Sequence, residues 1–207
     1  MLVGAPAAAL ALGAAREGVR PRIAVIAAEF PKGSPAQAIV DRFLEGFGWE
    51  SHHHRPAVDV VSLHVERKAE DDLSQERARR HGSLRLYDSI DEALALGKDG
   101  LQVDGMLLFD RARKDPFAEQ RRGPVEREAL FPIVTAAFSR AGRAVPVFSG
   151  GPLAVDWDEA RAISKAAAEL SFPLLAGSPV PFTWRLPALE LPFGTGVEEA
   201  LCLGPGA

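Results

Sequence analysis

Cysteine is almost missing: Cys202 stands alone in 207 residues, so neither an internal disulfide nor a cysteine-built zinc cage can form. Long hydrophobic runs are missing too, since no stretch approaches the roughly 18 apolar residues that a membrane span needs. Neither sign of charge dominates. With 24 Lys and Arg against 28 Asp and Glu, the net charge of −4 argues against a surface dedicated to nucleic acid. What is present is an ordinary globular composition, 47% apolar and 25% charged, which excludes collagen-like, coiled-coil and disordered classes. The length suits one well-buried core, or one domain and the start of another.

The first segment, residues 2 to 15, is an Ala/Leu/Gly run ending in small residues. It has the length and texture of a secretory signal's apolar core, but only Met1 stands where a basic leader belongs. A signal peptide shorn of its basic part and a loose N-terminal arm both fit, so cytoplasmic and exported locations stay open. Residues 1–21 are set apart on either reading, and the fold is expected to begin near Arg22.

From there short β-branched runs alternate with helical patterns. Ile23 to Ala28 is a continuous apolar run, as a strand buried on both faces requires. Ser34, Pro35 and Gln37 form a capping box with proline in the first turn. Ile39, Val40, Phe43, Leu44 and Phe47 then share one helical face, with Gly48 as the stop. Val58 to Val65 predicts a second strand, Leu73 to His81 a charged helix facing solvent and stopped by Gly82, and Leu84 to Tyr87 a third strand. Ser89 with Glu92 caps the next helix, and Val103 to Phe109 is the fourth strand. Residues 111–123 read as a polar loop, and Pro124 opens the longest helix, stopped by Gly142. Val145 to Phe148 is the fifth strand, Asp156 to Glu159 caps a helix running to Leu170, and Leu174 to Ala176 is the sixth strand. Six strands separated by helices predict an α/β fold, a doubly wound and mostly parallel sheet with helices on both faces over 22–177. Residues 178–207 read as a proline-rich C-terminal strap, with Val197 to Leu203 a strand that begins a second, truncated or missing domain. Within the strap, Trp184 and Arg185 are either ligand contacts or packing against the sheet.

Open α/β sheets bind ligands beyond the carboxyl ends of their strands, at the switch in strand order. The candidates are therefore Ala28, Glu29, Lys32, Gly33 and Ser34 after the first strand and Glu66 after the second. Asp110 and Arg111 follow the fourth strand, and Ser149, Gly150, Gly151 and Pro152 the fifth. The first loop lacks the G-x-G-x-x-G pattern that lets backbone approach a pyrophosphate. Lys32, Gly33 and the helix start at Ser34 are either a reduced anion site or an ordinary turn with a solvated lysine. Glu66 stands where an acid could bind ribose hydroxyls. His52, His53 and His54 lie in a predicted loop and diverge in direction, which with the distant His64 favours a solvated cluster over a metal site. Ser149 lacks the G-x-S-x-G frame of a nucleophile elbow, so hydrolysis is not expected.

The succession from Leu84 onward carries a resemblance. Tyr87 to Leu94 followed by Val103 to Leu108 is similar to the "y-x-s-x-e-e-l-l" helix and "v-D-a-v-x-i" strand of the Gfo/Idh/MocA oxidoreductases. Gly142 to Val147, Gly151 to Ala154 and the helix from Glu159 resemble that family's "G-K-H-V-x-x-E-K-P-x-a" segment and the helix after it. The resemblance covers about residues 22–176, the family's Rossmann-like nucleotide-binding domain. It implies NAD or NADP as cofactor at the twelve candidate positions and an NAD(P)-dependent oxidoreductase, divergent from the pattern. It also implies a sugar-like small molecule and a homo-oligomer as partners, with no nucleic acid and no membrane span. In the family's Glu-Lys-Pro motif the glutamate falls on Gly150 and the lysine on Gly151, and Pro152 alone matches. No catalytic residue is implied in this chain, because the family's catalytic histidine belongs to its second domain. A non-catalytic Rossmann-like binding or assembly module is the alternative.

Overall fold

The computed structural model describes residues 19–109, 130–151, 153–154, 157–177, 194–196 and 198–199. Strand β1 (Arg22–Ala27) has five buried residues in succession, as its unbroken apolar run requires. It lies between two parallel neighbours, β4 (Asp59–Val65) on one side and β6 (Gly105–Phe109) on the other. With β5 (Arg85–Leu86), β7 (Val147–Gly150) and β8 (Leu174–Gly177) they form one sheet in the order β5-β4-β1-β6-β7-β8. Every pairing in that sheet is parallel. The chain builds outward from β1 to β5, then crosses to the far side of β1 and builds outward again to β8. That is a doubly wound, Rossmann-like sheet, with its switch point between β1 and β6.

Alternation along the strands divides the core into two layers. Ile23, Val25 and Ala27 of β1 join Leu107 and Phe109 of β6 against α1 (Pro35–Glu45), through Ala36, Val40 and Leu44. On the opposite face, Ala24, Ile26, Met106 and Leu108 pack against α3 (Ile90–Ala95), α4 (Leu130–Ala141) and α5 (Trp157–Glu169). That layer is closed by aromatic packing, with the Phe138 and Phe172 rings edge to face at 5.4 Å between centroids.

Both predicted helix caps form through their serines, while Gln37 Oε1 accepts from Gly33 N–H and not from the Ser34 N–H that a full capping box uses. Ser34 Oγ accepts from Gln37 N–H at 3.1 Å and Ser89 Oγ from Glu92 N–H at 3.2 Å. Larger differences lie elsewhere. Helix α1 ends at Gly46, not Gly48: Gly46 takes φ +85° and donates to the Arg42 carbonyl at 3.0 Å. Phe47 therefore leaves the helix, and residues 47–54 form an antiparallel hairpin of β2 (Phe47–Trp49) and β3 (His52–His54), where a loop is expected. Helix α2 (Ser74–Arg80) is not purely solvent-facing, because Arg77 turns inward to grip Asp41 of α1 through two 2.7 Å bonds. The expected polar loop 111–123, the helix start at Pro124 and the cap at Asp156 lie outside the described residues. So do the strap over 178–193, most of the strand from Val197 and the signal-like run. Among the described residues no helix is long and apolar enough to cross a membrane.

Candidate functional site

The carboxyl ends of β1 and β4 are joined beyond the regular strands. Glu66 N–H donates to the Ala27 carbonyl at 2.9 Å and Arg67 N–H to the Ala28 carbonyl at 3.0 Å, while Ala28 N–H reaches the Phe109 carbonyl at 2.9 Å. This continuation places Ala28 at the switch point and brings Glu29 onto Arg67 as an ion pair, both side chains largely buried. Next along the loop, Phe30 is fully buried among Val25, Ala27 and Leu63, and its carbonyl accepts from Leu73 N–H at 3.0 Å. Pro31 pairs with Asp72. The β1–α1 loop is thus stapled to the segment that follows β4.

The helix start behind it is also engaged. Ser34 N–H donates to the Pro31 carbonyl at 3.2 Å and Gly33 N–H to Gln37 Oε1 at 2.9 Å. Gly33 takes φ +79°, which turns the chain into the cap. Lys32 extends into solvent.

A cavity of about 180 Å³ opens between the ends of β4 and β5, lined by His64, Glu66, Lys68, Ser74, Tyr87 and Asp88 over an apolar floor of Leu63, Val65 and Leu86. Parallel pairing of Leu63 with Leu86 creates it, by setting the residues after β5 beside those ending β4. His64 is buried on β4, and its Nδ1–H donates to the Tyr87 carbonyl at 3.0 Å. The other ring nitrogen, Nε2, faces Glu66 Oε2 at 3.3 Å. The Glu66 side chain is 46% exposed, and so can turn a carboxylate oxygen toward a ligand.

On the far side of the switch point, Ser149 is a buried member of β7, paired with Leu108 and Ala176, and is no surface nucleophile. Gly150 lies against the Phe109 ring so closely that an added Cβ would fall 2.3 Å from a ring carbon. Gly151 accepts from Gly177 N–H at 3.2 Å. The positions matching the resemblance's Glu and Lys therefore carry no side-chain chemistry. Asp110, Arg111 and Pro152 lie outside the described residues.

The structure gathers Ala28, Glu29 and Glu66 at one end of β1 and β4, and puts Lys32, Gly33 and Ser34 in the loop above. Ser149, Gly150 and Gly151 belong to the other side of β6. Lys68, Tyr87 and Asp88 are not among the expected site residues. Their signal is the shortness of the third strand, which returns its following loop to the edge almost at once. His64 lies on β4 of the main sheet and His52, His53 and His54 on the separate hairpin, and among the described residues no group of three or more His, Cys, Asp or Glu is placed to hold a metal ion.

No protein-family model and no curated protein sequence matches the chain. Solved structures resemble it at low identity. One is myo-inositol 2-dehydrogenase from Lactobacillus plantarum, 14% identical, TM-score 0.46, over 77% of this chain and 36% of that one. Another is biliverdin reductase from Synechocystis in complex with biliverdin and NADP+, 16% identical, TM-score 0.46, over 75% of this chain and 37% of that one. A third is GenD2 from gentamicin A biosynthesis in complex with NAD, 23% identical, TM-score 0.46, over 76% of this chain and 34% of that one. The chain spans little more than a third of the length of these structures.

Proposed function

We propose that the chain is a Rossmann-type domain that binds a ribose-bearing ligand at its carboxyl edge, with the Glu66 carboxylate accepting from the ribose hydroxyls. The observation that carries this reading is the position of Glu66. It follows the strand next to β1, its side chain is half exposed, and it stands at the mouth of a preformed cavity. An acid at that strand end suits the paired hydroxyls of a ribose, which donate to carboxylate oxygens. At about 180 Å³ the cavity is below the roughly 300–1,000 Å³ of a whole-ligand site, so it suits a fragment such as the sugar.

Two fuller readings share that site. In the first, the ligand is NAD or NADP and the chain is the nucleotide domain of an oxidoreductase, as the sequence resemblance implies. The ribose end of such a cofactor fits Glu66. The loop meant for its diphosphate does not fit, since Gly33, Ser34 and Gln37 already donate within the loop. In the second, the domain binds its ligand without hydride chemistry, a reading favoured by the bare positions Gly150 and Gly151.

A thermal-shift titration with NAD, NADH, NADP and NADPH on the full chain tests the first. A ligand at 100 times its Kd adds about 2.7 kcal/mol, which for a chain of this size moves Tm by roughly 5–10 °C. The oxidoreductase reading predicts a saturable shift with one cofactor, abolished in Glu66→Gln. A folded protein that responds to none of the four refutes it.

A further inference from the structure

We infer that the ligand of this site is a nucleoside without a diphosphate; the inference rests on the ribose reading of Glu66. A Rossmann-type sheet holds a diphosphate mainly by backbone N–H groups in the β1–α1 turn, aided by the start of the helix. In this chain the groups at the helix end of that turn are largely committed. From Pro31 to Gln37, the two prolines have no N–H, Ser34 donates to the Pro31 carbonyl, Gly33 to the Gln37 side chain and Gln37 to Ser34 Oγ. Among the described residues, the amides of Lys32 and Ala36 in that stretch, and of Phe30 just before it, are not drawn into these bonds. For Gly33 and Gln37 to turn to a phosphate, the cap of α1 must open.

The space and the charge point the same way. Phe30 fills the floor of the loop with no exposed surface, where the fingerprint glycines would allow close approach to the backbone. Glu29 puts a carboxylate at the end of β1, beside the path a diphosphate would take, and is held there by Arg67. Arg67, a cation at the same strand end, is thereby engaged. Among the described residues, Glu29, Glu66 and Asp88 offset Lys32, Arg67 and Lys68, so these six side chains together add no net positive field for a ligand of two or more negative charges. A sugar's hydroxyls need no such field. Glu66 and Asp88 supply acceptors, and Lys68 a donor, at the cavity wall.

The experiment is calorimetric titration of the full chain with adenosine, guanosine, inosine, cytidine and uridine, and with ADP, ADP-ribose and NAD. The expected result is that one nucleoside binds and that adding a diphosphate changes its affinity by less than about threefold. A real cradle, with two charge-assisted amide bonds, would improve it on the order of a hundredfold. ADP, ADP-ribose or NAD binding more than about threefold tighter than adenosine overturns the inference and leaves the ribose reading standing. Folded protein that binds neither nucleosides nor dinucleotides overturns both. Gln37→Ala, checked for folding by circular dichroism, frees the Gly33 amide and should raise the affinity for ADP relative to adenosine several-fold. An unchanged ratio would show that the loop's hydrogen bonds are not what excludes phosphate, and so would also overturn the argument.

Discussion

Replacing Arg77 with Met tests whether α1 and α2 are clamped by one ion pair. The Arg77 guanidinium meets both Asp41 oxygens at 2.7 Å, and Gln37 adds a third bond to Asp41 at 2.5 Å. The side chains are 12% and 17% exposed, so the pair lies between two regimes. Exposed pairs contribute about 0–1 kcal/mol, whereas removing one partner of a buried pair costs about 3–5 kcal/mol. Methionine keeps the aliphatic packing, so the loss should come from the stranded carboxylate, about 2–3 kcal/mol at pH 7, or roughly 5–10 °C in Tm. The pH dependence has a definite sign. Burial alone would raise the Asp41 pKa, but hydrogen bonds from Arg77 and Gln37, with the attraction of Arg77 and His81, hold it below the ordinary carboxylate value. A folded-state value below the unfolded one, about 3.9, gives stability that is complete above that value and lost as pH falls through the folded one. The gap between wild type and Arg77→Met in urea melts should therefore be full at pH 6–7 and shrink below about pH 4. A gap under about 0.5 kcal/mol at pH 7, or one equally large at pH 3, would refute the clamp.

Phe138→Ala should cost about 3–5 kcal/mol in urea melts, because it empties a fully buried ring site against Phe172, and combining it with Phe172→Ala should cost less than the sum. Ser34→Ala removes the α1 cap and should cost about 1 kcal/mol. Gly46→Ala would set a Cβ at φ +85° and 2.4 Å from the His54 carbonyl oxygen, so the β2–β3 hairpin should loosen and the His53 and His54 NMR resonances shift while the main-sheet resonances hold. Gly150→Ala drives a Cβ into the buried Phe109 ring and should cost about 1–3 kcal/mol, with the ring's resonances displaced; a neutral effect would mean the ring is free to move.

The main sheet was legible because burial on both faces leaves an unbroken apolar run, and β1 and β6 are such runs. The hairpin was not. Its strands have three residues each, all exposed, so neither carries a period of two to read. Its turn also hides, since Glu50 and Ser51 take φ +46° and +62° at the positions where Asn-Gly or Asp-Gly usually announces such a hairpin. The helix stop expected at Gly48 falls at Gly46, a glycine that composition does not tell apart from it. What distinguishes them is that the left-handed turn and the bond to Arg42 occur at Gly46, while Gly48 pairs with His53 inside the hairpin.

At the site, sequence reasoning could name the residues that end each strand but not their neighbours across strands. The β4–β5 register brings the Tyr87 carbonyl to His64, and so builds a cavity from residues 23 positions apart. The missing fingerprint posed a subtler problem. A loop poor in glycine can still bind phosphate if its amides point outward and lack partners, so composition leaves the matter open. The deciding quantity is where each N–H goes. Gln37 looks like half of an ordinary capping box, yet its side-chain oxygen takes the Gly33 amide. Glu29 and Arg67, 38 positions apart in sequence, meet at the very end of β1 and tie up the loop's nearest charges. The same residues that make α1 start cleanly are the ones that close the anion site.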